Sequence, residues 1–102
     1  MMPTVNINGK AHPFVYGFGA MMMVEEALGC AFGEKRNLYA DLTLKYACFM
    51  DADRTFPYSF EEFYRLLDAD HQLREAINAE LLKQIERWGK PSADDGDEVK
   101  KN

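Results

Sequence analysis

The sequence lacks the residue sets on which several classes of protein depend. Its 102 residues include two cysteines, and 12 basic residues stand against 17 acidic ones, for a formal net charge of −5. Cys30 and Cys48 are too few and too unpatterned for a disulfide framework or a zinc knuckle, so we expect a reducing cytoplasm, with each thiol in or near the core. No Lys and Arg cluster has the spacing that follows phosphates, so nucleic acid is not an expected ligand.

Long apolar runs are missing as well. The run from Phe14 to Val24 covers eleven residues and contains Gly17 and Gly19. It is too short to cross a bilayer, and it lacks the basic leader of a secretory signal. We therefore expect neither a membrane span nor export of the chain.

Apolar residues are plentiful enough for one core, at 47% hydrophobic and 13% aromatic content. A chain of this length is too short for two ordinary domains, so a single domain is expected over residues 1–90. Residues 91–102, PSADDGDEVKKN, offer little to bury and are dense in charge. They are predicted to form a disordered acidic tail.

A β-hairpin is predicted at the start of the fold. Val5–Ile7 and His12–Tyr16 are rich in β-branched and aromatic residues, and Asn8-Gly9 between them suits a tight turn with positive φ. Pro13 cannot donate a ladder hydrogen bond, so its strand is expected at an edge. Because an isolated hairpin is only marginally stable, this one is expected to lie against helices.

About four helices are predicted to follow, which makes the fold class α+β, with the hairpin on a small, mainly helical domain. The first helix ends at Gly29, and its apolar side comprises Ala20, Met21, Val24, Ala27 and Leu28. The second covers roughly Lys35 to Ala52 and, having little polar surface, is the candidate for the central helix. Its main stripe comprises Leu38, Leu42, Tyr46 and Phe49.

Capping signals locate the last two helices. Ser59 followed by Glu62 makes a capping box for the third, and Asp68 or Asp70 can cap the fourth. Gly89 followed by Pro91 supplies stop signals for the fourth helix. Its predicted apolar stripe is Leu73, Ile77, Leu81, Ile85 and Trp88.

A cation site is one interpretation of the joint between the second and third helices. Asp51, Asp53, Thr55 and Glu62 have the spacing of the first, third, fifth and twelfth ligands of an EF-hand. The turn chemistry opposes this, because Phe56 occupies the place where the calcium loop requires glycine, and Glu62 already has a role in the capping box. We predict no metal site and keep a calcium-responsive helix-loop-helix module as an alternative.

No catalytic site is predicted. His12 in a strand and His71 in the first turn of the fourth helix have no neighbouring cysteine, serine motif or histidine partner at metal-binding spacing. Gly17 and Gly19 lack the third glycine and the lysine of a phosphate-binding loop. We expect a protein without enzymatic activity or cofactor that acts by binding another protein.

Two exposed apolar residues are candidate protein-binding positions. Met22 is placed among glutamates on the first helix, and Leu82 lies about 120° from the apolar stripe of the fourth, at 100° per residue. An interface there would serve a partner protein or a second copy of the chain. Since single exposed apolar side chains are ordinary on protein surfaces, the alternative is that neither residue binds anything.

Three stretches carry a family resemblance. The first is the hairpin Ile7-Asn8-Gly9-Lys10, followed by an aromatic strand that enters a helix through Gly19-Ala20. The second is the turn Ala52-Asp53, which leads to a helix capped by Ser59, and the third is the acidic end of the chain. In these features the chain resembles the small tail assembly chaperones of long-tailed bacteriophages and related prophages, although Arg54 stands where a glycine often follows the Ala-Asp pair.

The resemblance implies a non-enzymatic factor in the cytoplasm of an infected or lysogenic cell. Such a factor would bind the long tape-measure protein and keep its apolar helical segments soluble until tail-tube subunits polymerise around it, so the tail-tube protein is a second implied partner. A small regulatory or antirestriction-like protein of a mobile element, binding some other protein, is the remaining alternative.

Overall fold

A β-hairpin followed by four helices makes up residues 2–94, the part of the chain that the computed structural model describes. In chain order the elements are β1 (Thr4–Ile7), β2 (Lys10–Pro13), α1 (Phe18–Leu28), α2 (Leu38–Ala52), α3 (Phe60–Ala69) and α4 (His71–Asp94). This architecture confirms the α+β class predicted from the sequence.

The hairpin turn is of the kind that Asn8-Gly9 predicts. Both residues have positive φ, 53° and 82°, which matches the right-handed twist of the flanking strands. The strands pair antiparallel, with Val5 opposite His12 and Ile7 opposite Lys10. Val5, Ile7 and His12 are each at most 5% exposed, so this face of the hairpin is its core face.

Pro13 lies at the end of the ladder, as expected for a residue without an N–H. It pairs with Thr4, and counting from the two-residue turn makes this a non-hydrogen-bonded pair. The missing N–H therefore costs no ladder bond. The second strand ends at Pro13 rather than at the predicted Tyr16.

One buried side chain ties the extended segment after β2 to α4. Gln84, 8% exposed, accepts the Tyr16 N–H on Oε1 and donates from Nε2 to the Phe14 carbonyl, both at 2.8 Å. The primary amide thus pairs with the segment as a neighbouring strand would. No sequence pattern pointed to this residue, because a glutamine between apolar positions is read as part of a solvated face.

α2 is the central helix, as its composition predicts. It packs against α1, α3 and β2, and the Val15 N–H donates to its Cys48 carbonyl at 3.1 Å. The buried ring of Phe49 lies 4.8 Å from that of Phe14 and 4.6 Å from that of Phe56, between centroids. Aromatic packing therefore joins the hairpin, the central helix and the following loop in one core.

The end of α1 and the start of α2 each have a local cause. Gly29 ends α1 in the left-handed region, with φ 71°, as predicted. α2 begins at Leu38, three residues after the predicted Lys35. Asn37 sets this start, because its side chain caps the helix by accepting the Ala40 N–H at 2.8 Å.

The capping signals of the last two helices are confirmed. Ser59 accepts the Glu62 N–H at 3.1 Å while Glu62 accepts the Ser59 N–H at 2.8 Å, which completes the capping box of α3. Of the two candidate caps for α4, Asp70 rather than Asp68 accepts the Leu73 N–H, at 3.1 Å. Local hydrogen bonding is sufficient to place both helix starts.

The predicted stripe of α4 is buried in its first three residues and exposed in its last two. The buried residues of α4 are Leu73, Ile77, Leu81 and Gln84. Ile85 and Trp88 are 36% and 45% exposed, so their assignment to the buried stripe was wrong. With Gln84 turned inward, Ile85 lies 100° further around the helix and meets solvent.

Two other expectations differ from the structure. In α1, Ala27 is exposed, while Met23 packs on the core instead. α4 passes the predicted stop at Gly89 and ends at Asp94. The remainder of the predicted acidic tail, residues 95–102, lies outside the described residues.

The two cysteines differ in environment. Cys48 is fully buried, and burial raises the pKa of its thiol to about 12. Cys30 is half-buried, and neither thiol takes part in a disulfide. Cys48 thus occupies the core as predicted, in a form that resists alkylation.

Replacing Gln84 tests the tie between the hairpin segment and α4. Gln84→Met keeps a similar volume but leaves the Phe14 carbonyl and the Tyr16 N–H without their partner. We expect a loss of about 1–3 kcal/mol in the free energy of unfolding, measured by urea denaturation. Gln72→Met, at an exposed position of the same helix, is the control and should change stability by less than about 0.5 kcal/mol. Equal effects of the two substitutions would contradict the role of Gln84.

Candidate functional site

An open groove lies where α2, α3 and α4 meet. It encloses about 460 Å³, and its apolar lining includes Leu38, Tyr39, Leu42, Phe60, Tyr64 and Ile77. Leu38 and Tyr39, at the start of α2, are 72% and 51% exposed. Concave apolar surface of this kind is typical of a binding site.

Ring contacts hold the aromatic wall of the groove. The Phe60 ring lies edge-on to those of Tyr39, Tyr46 and Tyr64, with centroids 5.5–5.8 Å apart. The Tyr46 hydroxyl donates to the Tyr58 carbonyl at 2.6 Å, and burial, followed by the nearby Glu62 charge, raises the Tyr46 pKa. The hydroxyl therefore stays a donor at neutral pH, and the wall joins α2 to α3.

The cationic side chains that line the groove, Lys45 and Arg74, are bonded to other groups of the protein. Lys45 Nζ lies 2.7 Å from Asp41 Oδ2. Arg74 Nη1 donates to the Leu67 carbonyl at 2.5 Å and to the Asp68 carbonyl at 3.2 Å, which satisfies acceptors at the end of α3. Asp68 also lines the groove, and its carboxylate forms no salt bridge within residues 2–94.

The mouth of the groove, at Leu38 and Tyr39, could not be predicted from the apolar pattern of α2. Leu38 belongs to the apolar stripe predicted for α2, yet it is 72% exposed. Tyr39 was not singled out. A signal was available in Asn37, because an N-cap there puts Leu38 and Tyr39 in the first turn of α2, where fewer neighbours cover a helix.

A second group of exposed rings lies where α1 begins beside the C-terminal half of α4. The Trp88 ring contacts Phe18 edge-on at 5.1 Å and Tyr16 at 5.8 Å, between centroids. Phe18 is 69% exposed and Met22, one turn further along α1, is 61% exposed. The aromatic pair would have been hard to anticipate, since it joins residues seventy positions apart in the chain.

The predicted exposure of both candidate binding residues is confirmed, at 61% for Met22 and 65% for Leu82. They lie on α1 and α4, and neither lines the groove. Met22 adjoins Phe18 along α1, so it belongs to the second exposed group. Binding through either residue stays a prediction.

The residues with EF-hand spacing, Asp51, Asp53, Thr55 and Glu62, do not come together as a cation site. Asp53 Oδ1 accepts the backbone N–H of Thr55 at 2.9 Å and its hydroxyl at 2.5 Å, and both bonds lower the Asp53 pKa. Glu62 is engaged in its capping box, and Asp51 lies 3.9 Å from Arg54. Among residues 2–94, no three His, Cys, Asp or Glu side chains are grouped so as to hold a metal.

Comparison with known proteins finds no relative. No protein-family model, curated protein or solved structure matches the chain. Within the described ranges, no helix is long and apolar enough to cross a membrane. The groove and the exposed rings are therefore the features from which a function can be argued.

Gly19 tests the contact between α1 and Asp51 near the end of α2. A Cβ added at Gly19 would overlap the Asp51 carboxylate, so the Asp51 side chain must turn away, and Gly19→Ala should lower the free energy of unfolding by about 0.5–1.5 kcal/mol. In a chain that already carries Asp51→Ala, Gly19→Ala should lower the free energy of unfolding by much less. Gly89→Ala is the control of opposite sign, because nothing lies within 4 Å of the added Cβ and alanine favours the helix by about 1 kcal/mol. Additive effects of Gly19→Ala and Asp51→Ala would argue against the contact.

His12 makes stability depend on pH. It is 4% exposed, against the ring of Phe56 at 5.2 Å, and burial followed by the Lys10 charge lowers its pKa despite Asp53 nearby. The unfolded chain then binds the proton first, so stability is complete above about pH 6.5 and falls as the pH drops through the folded pKa.

Urea denaturation at a series of pH values between neutrality and mild acid measures this pH dependence of the free energy of unfolding. His12→Gln should reduce the slope of stability against pH. An imidazole titration by NMR measures the same quantity directly, and a folded-state His12 pKa above the unfolded value would refute the prediction.

Proposed function

We propose that this chain is a non-enzymatic assembly chaperone that binds the tape-measure protein while a phage or prophage tail is built in the host cytoplasm. The open apolar groove between α2, α3 and α4 carries the proposal. The resemblance to tail assembly chaperones supports it through the hairpin turn Asn8-Gly9, the entry to α1 at Gly19-Ala20, the end of α2 at Ala52-Asp53 and the cap at Ser59.

The groove has the chemistry that such a client requires. A tape-measure helix that exposes apolar side chains before assembly would bury them against Leu38, Leu42 and Phe60, at roughly 25 cal/mol for each Å² removed from water. The net charge of −5 would oppose aggregation of the loaded complexes.

An open groove also favours release of the bound tape-measure protein. Tail-tube subunits that polymerise around the tape-measure protein would compete for the same apolar surface, and a client held on one side remains accessible to them. Binding and release would then require protein contacts alone, without a cofactor or a chemical step.

Co-expression with the tape-measure and tail-tube proteins of the same phage or prophage tests the proposal. The chain should co-purify with the tape-measure protein and keep it in the soluble fraction, and Leu38→Glu should reduce the amount recovered by at least about tenfold, because it places a charge in the groove. Ala76→Glu adds the same charge at an exposed position of α4 outside the groove and should leave recovery unchanged.

Three outcomes would contradict the chaperone function. The first is that the tape-measure protein is equally soluble without the chain. The second is that the Leu38→Glu variant binds the tape-measure protein as well as the unmodified chain does. The third is that the gene for this chain is not flanked by tail genes. Specific capture of an unrelated host or phage protein would instead favour the regulatory alternative.

A further inference from the structure

We infer that a second pocket, between α1 and the first half of α2, binds a short peptide segment in which a carboxylate lies beside an apolar side chain. The pocket encloses about 360 Å³, and we call it the basic pocket because Lys35 and Arg36 line it. It borders the groove at Asp41, which lines both. The inference goes beyond the proposed function and does not depend on it, since a different surface makes the contact.

Much of the lining of the basic pocket is apolar. Val24 of α1, Phe32 of the connecting loop, and Ala40 and Leu44 of α2 contribute to it. Val24 and Ala40 are buried, while Phe32 and Leu44 are half-buried and pack against the core. An apolar side chain of a ligand would therefore leave water on entering this pocket, which favours binding.

Hydrogen bonds within the loop between α1 and α2 hold the basic pocket in shape. Glu25 Oε2 accepts the Phe32 N–H at 2.8 Å, and Glu34 Oε1 accepts the Ala31 N–H at 3.2 Å. The Glu34 N–H donates in turn to the Ala31 carbonyl at 3.0 Å. Gly33 permits this turn with a φ of 86°. Because the loop is already ordered, a ligand would bind with little cost for ordering it.

The charge of the basic pocket indicates the sign of its ligand. Both loop glutamates accept backbone N–H groups, and Asp41, the carboxylate in the lining, lies 2.7 Å from Lys45. Lys35 and Arg36 are exposed, and neither forms a salt bridge within residues 2–94. The pocket thus presents two cations without an anionic partner, on a chain whose net charge is −5.

A carboxylate next to an apolar side chain matches both properties of the basic pocket. The carboxylate would pair with Lys35 and with Arg36, whose guanidinium can hold it through two hydrogen bonds. The apolar side chain would lie against the lining around Phe32. Nucleic acid fits less well, because two cations are too few to follow a phosphate backbone and the net charge of −5 repels a polyanion. A small inorganic anion would leave the apolar lining unfilled.

Three short capped peptides provide the probes. The first has a leucine between two glutamates, the second has glutamines in place of the glutamates, and the third has a serine in place of the leucine. Added to the isotope-labelled full chain at low salt, the first should shift the backbone amide NMR signals of Phe32, Gly33 and Ala40. The other two should bind at least about tenfold more weakly, and raised salt should weaken binding of the first.

Removing both cations tests the electrostatic part of the inference. Lys35→Gln combined with Arg36→Gln, both at exposed positions, should weaken binding of the first peptide at least about tenfold. Lys83→Gln combined with Arg87→Gln is the matched control, because it removes the same charge from exposed positions of α4, which does not line the basic pocket. The control should bind within about twofold of the unmodified chain.

The inference is overturned if either control peptide binds as well as the first, if the variant without Lys35 and Arg36 binds unchanged, or if the shifted signals belong to Leu42 and Tyr64 of the groove. Displacement of the peptide by an equal concentration of inorganic phosphate would also overturn it, since the pocket would then take small anions alone. Failure of tape-measure capture would leave these results unaffected, and Leu38→Glu should bind the first peptide like the unmodified chain.

Discussion

The paired hydrogen bonds between the Gln84 amide and the segment after β2 are the interaction on which much of the structure depends. A two-stranded hairpin cannot stabilise itself, and it is held to the helices by its buried apolar side chains together with this contact and the bond from Val15 to α2. The amide is 8% exposed, so losing either partner would leave buried polar groups without hydrogen bonds. Gln84 thus joins the buried apolar side chains of α4 in fixing the hairpin segment against that helix.

The same constraint produces the surface that a partner would use. With Gln84 inward, Ile85 and Leu82 meet solvent on the flank of α4 that also lines the groove, and Trp88 comes against Phe18 at the start of α1. A protein that needed only stability would gain from burying these side chains. Exposed apolar side chains beside an open groove are typical of a binding surface.

Much of the fold could be predicted because its signals are local. Asn8-Gly9, Gly29, the Ser59 and Glu62 pair and Asp70 act within a few residues of backbone, and the structure bears each of them out. The candidate site was harder to predict from the sequence. Met22 and Leu82 were correctly expected to be exposed, but Leu38, Tyr39 and Phe18 were missed, because exposure of an apolar residue depends on which neighbours fail to cover it.

The sequence by itself determined the order and type of the elements, the turn, the caps and the class of the fold, since hydrophobic period and capping chemistry act at short range. Only the tertiary structure decided which part of the α4 stripe is covered, the burial of Gln84 beside it, and the assembly of a groove from three helices. The physical reason is that the buried side-chain amide of Gln84 forms hydrogen bonds that a neighbouring strand would otherwise form. Its stabilisation comes from backbone groups almost seventy residues away, which no local pattern can register.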